Sequence, residues 1–207
     1  MLRILGRTTS INVRKVLWTV EEIGLAFDHE PQWATPEAPS GSPELLELNP
    51  NGLVPVIEDE NGVLWESNTI CRYLAHRHGR VDLLPTDAPG RARVEMWMDW
   101  QTTQLNAAWR YAFLALVRKE PGFDNAAQAD RSLARSAAQM RLLAGELADR
   151  PCMAGDGFTL ADVCVALGVH RVRSIPGAAP LPAEVARYLD RLKERPGFRR
   201  YAAADTP

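Results

Sequence analysis

The sequence predicts a chain in two parts, a mixed α/β unit followed by an all-helical one. Three observations predict it. Short strand-like and helix-like segments alternate over the first third, strand signals vanish beyond Pro85 and Pro89, and long runs of apolar residues at helical spacing then continue to the end. A chain of 207 residues with 46% apolar content is long enough for one large domain or two small ones. The expected division is 1–80, a linker over 81–88 and a helical domain over 89–207.

The elements follow in order. Leu2 to Leu5 reads as a brief buried strand ending at Gly6, and the loop Arg7 to Ser10 follows it. Val13, Val16, Leu17, Val20 and Ile23 then mark one helical face, with Gly24 suited to a left-handed stop. Ala26 to Glu30 can form a second strand. After a loop rich in Pro, Gly and Ser, Ser42 is an N-cap candidate with Pro43 at the first helical position, so a short helix through Leu48 is expected. Val54 to Ile57 and Val63 to Trp65, joined through Asn61-Gly62, read as a β-hairpin. Ser67 is expected to cap a helix ending near Gly79. Beyond the linker, helices are expected over Arg91–Arg118, Asn125–Ala148, Thr159–Arg173 and Pro182–Arg195.

Composition removes several function classes. The 24 Lys and Arg nearly balance the 26 Asp and Glu, which leaves no basic footprint for nucleic acid or anionic lipid. Cys71, Cys152 and Cys164 are odd in number and lack a CxxC, so neither a disulfide framework nor a zinc site is expected, and His76-x-His78 lacks acidic or cysteine company. No metal is expected. There is no long apolar run for a membrane span and no signal-like start, which together point to a soluble, cytoplasmic protein. G-x-S-x-G, P-loop and G-x-G-x-x-G patterns are absent.

Val54-Pro55-Val56 is unusual because proline removes a ladder donor from a strand-like run. A cis Val54-Pro55 bond would turn the Val54 main chain outward to pair with an extended peptide, whereas a trans edge-strand proline is the structural alternative. Glu66-Ser67 stands at a helix start, where free N–H groups and the dipole favour a carboxylate and Glu66 could meet an amine. Ser67 as a simple cap is the other possibility.

The run Asn49-Pro50-Asn51-Gly52-Leu53-Val54-Pro55, followed by Glu66-Ser67, resembles the thioredoxin-like domain of cytosolic glutathione S-transferases. That resemblance implies glutathione as co-substrate, with Val54 pairing by its main chain to the cysteinyl part beside Pro55, and with Glu66 and Ser67 holding the γ-glutamyl end. Leu53 stands where many relatives place Lys or Arg on the glycyl carboxylate, so this end of the ligand lacks an obvious partner. In the family a hydroxyl or thiol near the first helix activates the thiol, and Ser10 with Asn12 is similar to the Ser/Thr-x-Asn pattern of theta-like bacterial members. Both residues could instead cap the helix, and Thr9 is the other candidate donor.

The resemblance further implies a helical domain that lines the pocket of a small apolar electrophile, with Trp109 and Phe113 as candidate walls unless they serve only core or dimer packing, and a homodimer in which Asp99 faces the glutathione of the partner subunit unless it is a solvated charge. Gly157-Phe158-Thr159-Leu160-Ala161-Asp162 is similar to the family's capping motif and carries a capping box from its own residues. The expected activity is conjugation of glutathione. Glutathione-dependent peroxide or disulfide reduction and a non-catalytic binding module are the alternatives.

Overall fold

The computed structural model describes residues 1–202, so the last five residues of the expected helical domain lie outside it. Two compact units divide between Leu84 and Pro85, within the expected linker.

The first unit runs β1 (Leu2–Leu5), α1 (Ile11–Ile23), β2 (Phe27–Glu30), α2 (Pro43–Leu48), β3 (Val56–Asp59), β4 (Gly62–Trp65) and α3 (Ser67–Arg77). Its sheet has the order β2-β1-β3-β4, with β1 parallel to β2 and antiparallel to β3, and with β3 antiparallel to β4. This is a thioredoxin-like arrangement. Ile4, Val13, Val16, Leu17, Val20, Ile57, Ile70 and Leu74 are buried, so the 3.6-residue faces of α1 and α3 meet period-2 faces of the sheet. Leu5, Leu45 and Val56 form a second cluster with Trp33, Leu48 and Val54 packed on it. Gly24 adopts φ 82° and stops α1 as its position suggested, its N–H donating to Val20 O and Glu21 O.

The second unit is all-helical: α4 (Ala88–Trp100), a π-helical stretch (Gln101–Leu105), α5 (Asn106–Ala112), a second π-helical stretch (Phe113–Arg118), α6 (Ala126–Glu146), α7 (Leu160–Arg173), α8 (Ala183–Leu192) and α9 (Pro196–Tyr201). Helix α7 is buried on nearly every side and forms the centre of this unit. Gly168 permits that packing, because a Cβ there would lie 2.6 Å from Leu105 Cδ2 and 3.3 Å from Gln101 Cγ. Asp162 anchors the start of α7 from within: its carboxylate accepts from the N–H groups of Met153 and Thr159, both at 2.8 Å, and from the Tyr188 hydroxyl at 3.0 Å. The capping box is present.

Three expectations are corrected. The strand expected from Val54 begins at Val56, since neighbouring strands pair only from that residue onward. Ser67 is the first helical residue of α3 and not its cap; Glu66, at φ 72° and ψ 107°, turns the chain into the helix. The first long helix starts three residues earlier than Arg91 and is interrupted by the two π-helical stretches.

Candidate active site

The loop between β1 and α1 carries the first group of expected site residues. Gly6 adopts φ 142°, and a Cβ there would sit 2.5 Å from Val13 Cγ2 and 2.9 Å from Val54 Cβ. Only glycine lets the end of β1, the first turn of α1 and Val54 meet so closely. Arg14, buried in α1, turns its Nε back to donate to Thr8 O at 2.6 Å and fixes the turn; burial pulls its guanidinium below its usual range. Ser10 is the N-cap of α1, with Oγ accepting from Val13 N at a long 3.4 Å. Accepting leaves the hydroxyl proton available to a second partner. Asn12, in the first turn, and Thr9 are both half-buried.

Across the same end of the sheet lies the loop from Asn49 to Pro55. The Val54-Pro55 bond is cis, as expected from the sequence. Val54 precedes the first ladder pair of β3, and that pair, Val56 with Leu5 and with Trp65, closes the sheet behind it. Asn49 organises the loop: its Nδ2 donates to Leu53 O at 2.7 Å, while its Oδ1 accepts from Asn51 N at 3.0 Å and Asn51 Nδ2 at 3.1 Å. Gly41 N donates to Gly52 O at 2.8 Å, which ties the loop before α2 to this one. Leu53 is 56% exposed.

The third group stands at the start of α3. Glu66 is exposed and Ser67 is buried, and the Glu66 carbonyl accepts from Ile70 N at 2.9 Å to begin the helix. Sequence reasoning missed the residue behind them. Lys15 of α1 is wholly buried, and its Nζ donates to Asn68 Oδ1 at 3.1 Å, linking the first turn of α3 to α1. A signal existed, since Lys15 lies four residues from both Ile11 and Thr19 on the packed face of α1. A lysine there nevertheless reads as a solvated side chain.

The remaining candidates lie in the helical unit or in the core. Trp109 and Phe113 are buried, meet edge to face at 5.5 Å between ring centroids, and lie under the guanidinium of buried Arg171, which is 4.3 Å from the Phe113 ring centre. That packing leaves them little surface for a ligand. Cys71, Cys152 and Cys164 are all buried; Cys71 accepts from Thr19 Oγ1 at 3.2 Å, and burial, reinforced by Asp162, pushes the Cys152 thiol up to about 11. His76 and His78 are exposed at the end of α3, and among the described residues no group of three or more His, Cys, Asp and Glu could hold a metal ion. No helix of the described residues is long and apolar enough to cross a membrane.

The first unit therefore gathers Ser10, Asn12, Val54, Glu66 and Ser67 at the carboxyl end of β1 and the starts of two helices. Comparison with known proteins matches each of the two units to a family domain. Residues 9–77 match the model of the glutathione S-transferase N-terminal domain, and residues 106–196 match that of the C-terminal domain. The chain is 35% identical to the glutathione S-transferase GstB of Escherichia coli over 97% of both chains, and 32% identical to glutathione S-transferase 3 of Zea mays over 98% of this chain and 94% of that one. Among solved structures, the theta class glutathione S-transferase of Xanthomonas axonopodis pv. citri, crystallised with glutathione bound, superposes with a TM-score of 0.91 at 30% identity, covering 100% of this chain and 99% of that one. Two matched domains in the expected order, with relatives similar from end to end, show that the chain belongs to the glutathione S-transferase family.

Proposed function

We propose that this transferase binds glutathione along Val54 and the start of α3, holds its sulfur as a thiolate with the Ser10 hydroxyl and the Asn12 amide, and adds it to a small apolar electrophile. The observation that carries this reading is the geometry of Ser10. Its oxygen accepts from Val13 N, so its own O–H is the group left to point at a ligand sulfur above the first turn of α1. A free thiol has a pKa of about 8.5 and is mostly protonated at neutral pH. Hydrogen bonds from Ser10 and Asn12, with the positive end of α1, lower it by favouring the charged form. The thiol proton leaves to solvent. The sulfur electron pair then forms the new S–C bond, and with an aryl or alkyl halide the halide departs with the electrons of the broken bond.

The other groups bind and orient. The Val54 main chain, outside the ladder, can pair with the cysteinyl residue as an added strand does. The N–H groups opening α3 and the Ser67 hydroxyl receive the γ-glutamyl carboxylate, and Glu66 receives the amino group in a charge-assisted bond. Buried Lys15 holds the first turn of α3 in place from behind. A homodimer is part of the proposal, as the family membership supports it.

Isothermal calorimetry with glutathione, followed by rate measurements with an aryl halide, a hydroperoxide and a mixed disulfide, tests the reading. Binding with accelerated conjugation supports it. A protein that reduces the peroxide or disulfide and leaves the aryl halide untouched has another reaction, and one that binds no glutathione overturns the assignment of the site.

A further inference from the structure

The seam between α1 and α3 holds a charge inside the first unit. Lys15 is wholly buried, and its Nζ donates to Asn68 Oδ1 at 3.1 Å. Among the described residues no carboxylate forms an ion pair with it. An ammonium carries three N–H donors, and one amide oxygen does little to offset the loss of water around a charge. Packing alone does not ask for a cation here. One turn further along α1, Thr19 Oγ1 donates to Lys15 O at 2.8 Å and meets Cys71 Sγ at 3.2 Å, so the two helices touch there through neutral groups. An apolar side chain of the same length would fill the space of Lys15 without the desolvation cost.

Asn68 determines where that charge stands. It is the second residue of α3, whose first hydrogen bond runs from Ile70 N to Glu66 O, so the N–H groups before Ile70 are those the helix leaves outside its own ladder. The Asn68 side chain leads from this opening back to the Lys15 ammonium, one side chain behind it. Resting on the proposed glutathione site, we propose that Lys15 is a positioning residue that acts by its charge: the ammonium, held behind the opening of α3 by Asn68, is the counter-charge of the γ-glutamyl carboxylate. Exposed Glu66 supplies the opposite sign for the amino group. The zwitterionic end of the ligand thus meets one charge of each sign, an acid at the surface and a base in the interior. Away from water, at an effective dielectric of about 20 in place of about 80, an ammonium acts across the length of a side chain. Since Ser10 and Asn12 stand at the start of the same helix that carries Lys15, α1 draws on both the sulfur and the carboxylate of one ligand.

The test sets two neutral variants of the intact protein against two thiols. Lys15→Met keeps the length of the side chain and removes its charge, while Lys15→Gln also keeps an N–H donor for Asn68. The thiols are glutathione and γ-aminobutyryl-cysteinyl-glycine, which lacks only the γ-glutamyl carboxylate. Both variants are expected to fold and to melt at or above the wild-type temperature, since each removes a buried charge that the protein does not pair. Each is expected to lose about tenfold in kcat/KM for glutathione with an aryl halide, through KM and with kcat unchanged, and less than about twofold for the analogue. The titration of the bound glutathione thiol should stay where it is. Equal losses for the two thiols overturn the proposal, because the lysine would then shape the site as a whole, and so does the absence of any loss for glutathione. Wild-type kinetics in Lys15→Gln overturn it too, because the hydrogen bond and not the charge would be what matters. A raised thiol pKa places the charge at the sulfur, and failure of both variants to fold makes the lysine a part of the fold itself; either result overturns the assignment to the carboxylate. Wild-type protein that binds no glutathione in calorimetry contradicts the site, which keeps the two conclusions apart.

Discussion

Replacing Ser10 by alanine separates the two jobs assigned to one oxygen. As an N-cap it accepts from Val13 N at 3.4 Å, long for such a bond, so its loss is expected to cost stability near the low end of measured caps, about 0.5 kcal/mol. As a donor to a thiolate it makes a charge-assisted bond worth about 1.5–3 kcal/mol, and at about 1.4 kcal/mol per pKa unit this is roughly one to two units. Ser10→Ala should therefore raise the pKa of bound glutathione by about one to two units while the unfolding midpoint hardly moves. The assay is thiolate absorbance of the binary complex against pH, with conjugation rates measured over the same range. Because the thiolate is the reactive form, the variant should lose about 10- to 100-fold in rate at pH values below the wild-type thiol pKa, less near neutrality, and recover as the pH rises through the new pKa. Ser10→Thr keeps the hydroxyl and should behave like the wild type. A bound thiol that titrates identically in Ser10→Ala would remove the hydroxyl from the mechanism, and the role would then pass to Asn12 or Thr9.

Other outcomes follow from the same geometry. Glu66→Gly should relieve the left-handed backbone and stabilise the fold by about 1 kcal/mol, yet weaken glutathione binding about tenfold or more by removing the carboxylate; parallel thermal melts and calorimetry would show the split. Gly6→Ala should destabilise the first unit by about 2–3 kcal/mol in denaturant titrations, because its methyl meets Val13 and Val54 inside van der Waals contact. Asp162→Ala should cost about 3 kcal/mol or more, since it strands the buried N–H groups of Met153 and Thr159 and the Tyr188 hydroxyl; a loss below about 1 kcal/mol would contradict that accounting. The Glu30 carboxyl is held below its usual range by the Trp33 indole N–H and by Arg3, so this contribution is full above about pH 4.5 and lost as pH falls through the lowered folded-state value. Trp33→Phe should flatten the acid limb of the stability curve.

Most elements were legible because their signals are local. The apolar face of α1, the Ser42-Pro43 start of α2, the Gly24 stop and the Thr159 cap each depend on residues within a few positions of one another. What escaped depends on distant parts of the chain. The π-helical stretches at Gln101 and Phe113 share the residue types of ordinary helix, so periodicity alone reads straight through them. Ser67 reads as a cap because serine favours that place, while the left-handed turn that moves the cap to Glu66 leaves no mark in the residue type. Lys15 and Arg171 sit where hydrophobic residues are expected, and their burial is settled by Asn68 and by the rings of Trp109 and Phe113, more than fifty residues away in each case. For the same reason nothing in the sequence signals that the Trp109 and Phe113 rings lie under the Arg171 guanidinium. Within the site, the cis Val54-Pro55 bond was readable because it follows from the proline itself, whereas the Glu66-Ser67 pair was readable only as a contiguous run near a helix start.

The tie between Gly41 and Gly52 and the Asn49 brace secure the Asn49–Pro55 loop from within the chain; on the proposed function, the thiol peptide that pairs with Val54 would hold it as well. A peptide spanning Ser10, Val54 and Ser67 would cross-link the starts of two helices to that loop, joining pieces far apart in the chain. Occupancy would then be recorded in the melting temperature: at a hundred times its dissociation constant, a ligand bound only by the folded form adds about 2.7 kcal/mol to stability. A cell that exhausts its supply of the thiol would leave this enzyme idle and also easier to unfold, so that the abundance of the protein could follow that of its co-substrate.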